Sequence, residues 1–363
     1  MSDHLEDLAE AVRGVLSSRR PVDATAPAGL DTALWKELEQ LGFTSLALPE
    51  ELGGGGGTVR DAAVLVREAA SACAAVPVAE AAFVAAPMLA AAGARPPNGP
   101  LTAAPGDLYA EPVHGGTWRI TGSLSRVPWL RSAGHVVTPV TTPDGPAVAV
   151  VPVGHRLLRL VEGTDLAGEQ RDGAVLEGVE TDQVFPLPAG TWRRDAELYG
   201  AAARALQMAG AARGVLEATL RHVGERVQFG RPLVRFQAVQ HQLAALAADV
   251  VTVEVSADAA ILALLRTGYD RELMVASAKA EASALARSVA AVGHQLHGAI
   301  GFTMEHRLGA YTRRLWSWRD EYGNELYWHR RIAELVADRG GDVWGLVADA
   351  DRRPEGAQVH VGD

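Results

Sequence analysis

The feature that most constrains this chain is a set of long helical stretches in its second half. Apolar residues recur at helical spacing over roughly 198–224, 234–266, 270–297 and 320–338. Stretches about two to three times the mean helix length cannot bury an apolar stripe alone. They predict a bundle of long helices.

What precedes the bundle differs in character. Over residues 1–100, Leu5, Leu8, Val12 and Leu16 recur at helical spacing, and Asp31 stands where it can cap a helix carrying Trp35, Leu38 and Leu41. Further helical stretches cover about 58–75 and 78–93, so the segment reads as a helical domain. The run Gly53–Gly57 follows no strand and precedes no Lys-Ser/Thr pair, so it reads as a turn between helices and not as a phosphate loop. Residues 101–190 are rich in Pro, Gly, Val and Thr. Trp118–Gly122, His135–Val140 and Ala147–Val153 read as short strands, which predicts a small antiparallel β domain. Residues 191–349 form the helical bundle, and 350–363 make a polar tail. The fold class expected is mainly α with a small central β domain.

Composition narrows the function. A net charge of −10 shows no basic balance for nucleic acid. Cys73 is the single cysteine, so neither a disulfide nor a cysteine metal cluster is available within the chain. The scattered histidines lack metal-ligand spacing beside carboxylates, and no metal is expected. The acidic start Met1–Leu8 lacks the pattern of a secretory signal, and no apolar run reaches the roughly 18 residues of a membrane span. The expectation is a cytoplasmic protein that meets no membrane.

Two segments carry chemical possibilities. Between the first two long helices, Arg226, Arg231 and Arg235 bring three guanidinium groups to one corner beside Gln228, Phe229 and Gln240. Guanidinium binds phosphate oxygens bidentately, and Phe229 offers an apolar face to a ring. The same residues also suit an ordinary turn with surface arginines. Gln295 to Glu305 is the second segment, with Gly298 and Gly301 ending a helix where backbone can approach a ligand or simply close the helix. Tyr311, Trp316, Trp318, Tyr322, Tyr327 and Trp328 concentrate near the end and suit a core, an interface or a pocket.

The order of these pieces resembles the acyl-CoA dehydrogenase family over about residues 5–340. Three stretches carry the resemblance: Trp35–Phe43 with Pro49–Gly54, Arg226-x-Gln-Phe-Gly-x-Pro-Leu233 with Phe236-Gln-x-x-Gln240, and Gln295-x-x-Gly-x-x-Gly-Phe-Thr-x-Glu305. The resemblance implies an N-terminal helical domain, a middle β-barrel-like domain and a C-terminal four-helix bundle. It implies FAD as cofactor, with Arg226 on the pyrophosphate across a subunit boundary, Gln228 within the same signature, Phe229 near the cofactor, and Gln240, Gln295 and Gly298 at the adenine and pyrophosphate end. Trp129, after a β strand, would cover the flavin ring. The implied reaction is α,β-desaturation of an acyl thioester, on CoA or a carrier protein, with hydride transfer to the flavin and reoxidation by an electron-transfer partner.

The departures from the family pattern bear on catalysis. The position of the usual base glutamate falls on Tyr322, followed by Gly323-Asn324, and Glu321 is one residue away. A general base must be a carboxylate within reach of the Cα proton, and a phenol with pKa near 10 serves poorly at neutral pH. The alternative family position, at the start of the helix leading to Arg226, reads Tyr199-Gly-Ala-Ala-Ala203, with Asp195 and Glu197 upstream. Three readings follow, in a homo-oligomer or a hetero-oligomer with a paralogous subunit: a dehydrogenase using Glu321 or another unaligned carboxylate, a half-site subunit that contributes FAD contacts while its partner chain supplies the base, or a relative with altered chemistry such as a flavin-dependent oxidase or a flavin-free protein.

Overall fold

The computed structural model describes residues 3–17, 29–188, 192–266, 269–303 and 306–343. The expected polar tail and the end of the second signature, Met304-Glu305, lie outside them.

The N-terminal segment is helical: α1 (Asp3–Ser17), α2 (Thr32–Gln40), α3 (Val59–Ser71), and a π-helical turn Glu80–Ala85 that runs into α4 (Ala86–Ala91). Asp31 caps α2 through Leu34 N, as its position suggested. Thr58 and Asp61 close a capping box on α3. The glycine run is a tight turn. The N–H groups of Gly55, Gly56 and Gly57 bond the carbonyls of Ser45, Leu48 and Leu46, so these donors are spent within the chain.

The middle segment contains β1 (Leu101–Ala103), β2 (Asp107–Pro112), β3 (Trp118–Pro128), β4 (His135–Thr142), β5 (Gly145–Pro152), β6 (Leu158–Val161), β7 (Arg171–Thr181) and β8 (Val184–Pro186). They pair in the order β6-β7-β3-β2-β4-β5-β8, with β1 on β4. The sheet is mixed rather than purely antiparallel, because β1 and β2 both meet β4 in parallel. Inward residues Ile120, Leu124, Val136 and Val179 form its own core.

The last segment holds α5 (Trp192–Glu225), the ribbon β9 (Val227–Gln228) and β10 (Arg231–Pro232), then α6 (Gln237–Leu264), α7 (Tyr269–His297), α8 (Leu308–Asp320) and α9 (Glu325–Asp338). α5 has 34 residues and spans about 51 Å. It is buried along most of its length by alanine and glycine, which lets α3, α7 and α8 close around it. At Gly200 and Gly210 an added Cβ would overlap the Tyr322 ring and the backbone of α3. One expectation is corrected here. The stretch 320–338 is not one helix, because the chain breaks over Glu321–Asn324 with Tyr322 and Gly323 at positive φ, 52° and 87°. Asn324 then caps α9 through Tyr327 N.

One continuous core joins the N-terminal helices, the inner face of β1, β4 and β5, and the bundle. The β segment is thereby clamped between two helical bodies, and one of the clefts lies along its seam with the bundle.

Candidate active site

Two cavities hold most of the singled-out residues. The first, about 660 Å³, lies where α5, the β9–β10 ribbon, α6 and the end of α7 meet. Arg226, Gln228, Gln295 and Gly298 line it together with Gln242 and His297. The ribbon explains how Arg226 is presented. Phe229 and Gly230 have φ of 51° and 78°, the two positive values that a two-residue hairpin turn requires, with Gln228 opposite Arg231. Leu233 N then bonds Arg226 O at 2.9 Å, which pins the base of the ribbon.

Other residues of the first signature are placed differently. Phe229 is 91 % exposed at the hairpin tip, with its ring edge against Phe236. Gln240 does not line the cavity. Its amide donates to Val234 O at 3.1 Å, and Gln242, two residues on, faces the cavity instead. Arg231 stacks over Phe236 at 4.2 Å, so the three arginines do not converge.

A histidine group was not legible in the sequence. His222 stacks on His297 at 4.6 Å, and His306 meets His297 edge-on at 4.8 Å. The Nδ1 of His297 pairs with Gly293 O at 2.8 Å, while its buried Nε2 has no partner in the protein. Burial, with the neighbouring imidazoles adding to it, pushes His297 down to about 4. It is therefore neutral at physiological pH and, with Nδ1 donating, presents Nε2 as an acceptor. Among the described residues no group of three or more His, Cys, Asp or Glu is arranged to hold a metal ion.

The second cavity, about 820 Å³, is a groove between the β segment and the bundle. Pro105, Gly106, Ser125 and Arg126 form one wall, and Arg193, Glu197 and Asp320–Gly323 the other. Glu321 lines it as a buried side chain. Arg171 Nε donates to its Oε1 and Arg204 Nε to its Oε2, both at 2.7 Å. Against the cost of burial, these two cations hold the Glu321 carboxyl down to about 2. Tyr322 lies beside it with its ring over Gly200, and burial pushes its phenol above the usual range.

The other carboxylates lining the groove are also paired: Asp107 with Arg193 at 2.7 Å, Glu197 with Arg194 and with Tyr327 Oη, and Asp320 with Arg319 at 3.1 Å. Asp195, the other upstream acid, pairs with Arg271 at 3.0 Å. Trp129 does not face the groove. It is 3 % exposed, and its ring borders a small interior void with Arg171, Arg314 and Trp318. Pro128 and Arg126 occupy the groove wall where Trp129 was expected.

The loop carrying Glu321 and Tyr322 is anchored from below. Lys279, fully buried, donates to Arg319 O, Gly323 O and Ser283 Oγ at 2.7–2.9 Å. Burial pushes its ammonium down to about 7.

Comparison with known proteins settles the family. Residues 2–95 match the model of the acyl-CoA dehydrogenase N-terminal domain, and residues 198–325 that of the acyl-CoA dehydrogenase C-terminal domain. The chain belongs to the acyl-CoA dehydrogenase family. It is 31 % identical over 306 residues to acyl-CoA dehydrogenase IpdE2 of Mycobacterium tuberculosis, covering 84 % of each chain. Among solved structures it is similar to a variant of the Tcur3481-Tcur3483 steroid ACAD, with 25 % identity, a TM-score of 0.81, and 94 % and 99 % of the two chains covered. The ChsE4-ChsE5 complex from Mycobacterium tuberculosis shares the fold at 23 % identity and a TM-score of 0.80, with 93 % and 98 % covered. Membership in the family makes this chain a flavoprotein-type, oligomer-forming relative of enzymes of lipid metabolism. No helix among the described residues is long and apolar enough to cross a membrane.

Proposed function

We propose that this chain is a cofactor-site subunit of a hetero-oligomeric acyl-CoA dehydrogenase, and that a paralogous chain supplies the catalytic base. The observation that carries this reading is the state of Glu321. A general base needs a proton affinity near the working pH. Each oxygen of Glu321 accepts from a guanidinium group, and these two buried cations hold its pKa down to about 2. Tyr322, at the family's base position, is harder to ionise than an ordinary phenol. A relative whose name joins two proteins, Tcur3481-Tcur3483, supports the pairing with a second chain.

The first cavity fits the dinucleotide end of FAD. Arg226 supplies a bidentate cation for the pyrophosphate. Gln228, Gln242 and Gln295 supply amides, and the orphaned Nε2 of His297 supplies an acceptor for a ligand N–H or hydroxyl. Gly298, at φ 64° with nothing within 4 Å of an added Cβ, leaves backbone open to close approach. Phe229, exposed at the ribbon tip, reaches outward toward a neighbouring subunit's cofactor. FAD, when bound, accepts the hydride lost from Cβ of an acyl thioester, and an electron-transfer partner reoxidises it. The second groove is the counterpart of the family's thioester cleft. Val227, Phe229, Ile300 and Phe302 are exposed apolar side chains near the first cavity, as an interface would have.

The test is made in the assembly, with this chain co-expressed with a paralogue carrying the family glutamate. Tyr322→Phe and Glu321→Gln, checked for native circular dichroism, should leave turnover within about tenfold of wild type. General base catalysis contributes about 10²–10⁴-fold, so a loss of that size in either variant would return the base to this chain.

A further inference from the structure

Glu321 belongs to a buried network of ion pairs. From Glu321 the network runs through Arg204 to Glu80 (Nη2 to Oε1, 2.7 Å) and through Arg171 to Glu169 and Asp165, both at 3.2 Å. Arg314 joins it with Nε on Glu169 Oε1 at 2.8 Å. Each of these side chains is nine-tenths or more buried. The network ties together the N-terminal helices, the sheet and the bundle, because Glu80 lies in the π-helical turn, Arg171 in β7, Arg204 in α5 and Arg314 in α8. Glu80 is held on one side only. Its Oε1 accepts from Arg204, while its buried Oε2 has no donor in the protein.

The small interior void, about 10 Å³, lies against this network. Glu80, Glu169, Arg171 and Arg314 line it together with Trp318 of α8. Trp318 is 3 % exposed, and its indole Nε1–H has no acceptor in the protein. One void is thus bordered by a residue with an orphaned donor and a residue with an orphaned acceptor. An indole nitrogen can only donate, and an ionised carboxylate can only accept.

The wall restricts what fits. An anion would meet Glu80 and Glu169, and a cation would meet Arg171, Arg314 and the indole N–H. An apolar guest would leave both orphans unpaired, at the full cost of their desolvation. What suits both is a neutral group that accepts one hydrogen bond and donates another. A void of about 10 Å³ with polar partners has room for roughly one water. Immobilising a water costs less than leaving two buried polar groups unpaired.

We propose that this void is the site of one structural water, which accepts from Trp318 Nε1–H and donates to Glu80 Oε2. The water joins α8 to the π-helical turn and gives Glu80 a partner on each oxygen. Arg204, bonded to Glu80 on one side, donates to Glu321 on the other. The water is therefore a positioning element of the charged frame behind Glu321, and it acts without reaching the groove.

The test is a crystal structure of the full-length chain at a resolution that shows ordered water. One water should stand within about 2.7–3.2 Å of both Trp318 Nε1 and Glu80 Oε2. A void with no such peak overturns the site, as does a Trp318 or Glu80 side chain turned to bond protein atoms instead. Trp318→Phe keeps a ring and removes the donor, and its crystals should lose the peak. A peak retained there at full occupancy overturns the role of Trp318. A measurement in solution stands beside the crystals. The indole N–H resonance that Trp318→Phe removes should show, in the wild-type chain, a rotating-frame cross-peak to water of the sign of a bound molecule rather than of chemical exchange. No such cross-peak overturns the site. Neither measurement uses flavin, a partner chain or turnover, so its failure is distinct from failure of the subunit reading.

Discussion

Among the described residues, Cys73, Arg126, Trp129, Phe229 and Tyr322 are the non-glycine residues with positive φ, between 51° and 58°. Such backbone costs on the order of 1 kcal/mol or more per residue and persists where surrounding structure enforces it. Arg126 and Tyr322 line the groove, Cys73 and Trp129 line the small interior void, and Phe229 turns the ribbon beside the first cavity. Phe229 gives the cleanest test. Its side chain is almost fully exposed, so Phe229→Gly should leave the thermal stability of the chain within about 1 kcal/mol of wild type. In the assembly the same variant should lower retained FAD, read as flavin absorbance per protein after gel filtration. Unchanged flavin content would remove Phe229 from the cofactor site. Glu321 gives a second residue-scale test. Its pKa is held at about 2 against an ordinary 4.5, so its contribution is complete above pH 4.5 and lost as pH falls toward 2. The gap corresponds to roughly 3 kcal/mol. Urea midpoints should fall between about pH 5 and pH 3 in wild type, and less steeply in Glu321→Gln. Parallel profiles would contradict the ion-paired state of Glu321.

At the scale of elements, the long helices were legible because apolar periodicity is a local property of the sequence. α5, α6 and α7 fall where the spacing put them. The break between α8 and α9 was not read, although Gly323-Asn324 carries a local signal: a glycine at positive φ followed by an N-cap. The lysine that holds this break was beyond sequence reading, because Lys279 is some forty residues from the carbonyls it bonds. Lys279→Met would leave the carbonyls of Arg319 and Gly323 without that donor. It should cost on the order of 3 kcal/mol in urea unfolding, and a loss below about 1 kcal/mol would show that the loop holds itself. Gly200→Ala places a methyl group against the Tyr322 ring and should cost about 1–3 kcal/mol by overpacking. In the sheet, alternation revealed strands and missed that β1 and β2 pair with β4 in parallel, a feature set by tertiary connection rather than by pattern.

For the whole molecule, the three-part order of helices, sheet and bundle was readable, and the family follows from it together with the two signatures. The site was readable in part. Arg226, Gln228, Gln295 and Gly298, which the two signatures contain, line one cavity, because each lies next to a helix end that the sequence marks. The placements of Gln240, Trp129 and Glu321 were not readable. The placement of Glu321 depends on partners distant in sequence, since Arg171 and Arg204 lie 150 and 117 positions before it, whereas Gln240 is turned aside by a local bond to Val234 O, six positions before it. This chain shares its chemistry with another, and that sharing is directly measurable. The most direct measurement is the visible spectrum and dye-coupled turnover of an acyl-CoA, taken on this chain purified alone and on the complex co-purified with a glutamate-bearing paralogue. No turnover by the chain alone and a yellow, active complex are expected. Sustained turnover by the chain alone would contradict it.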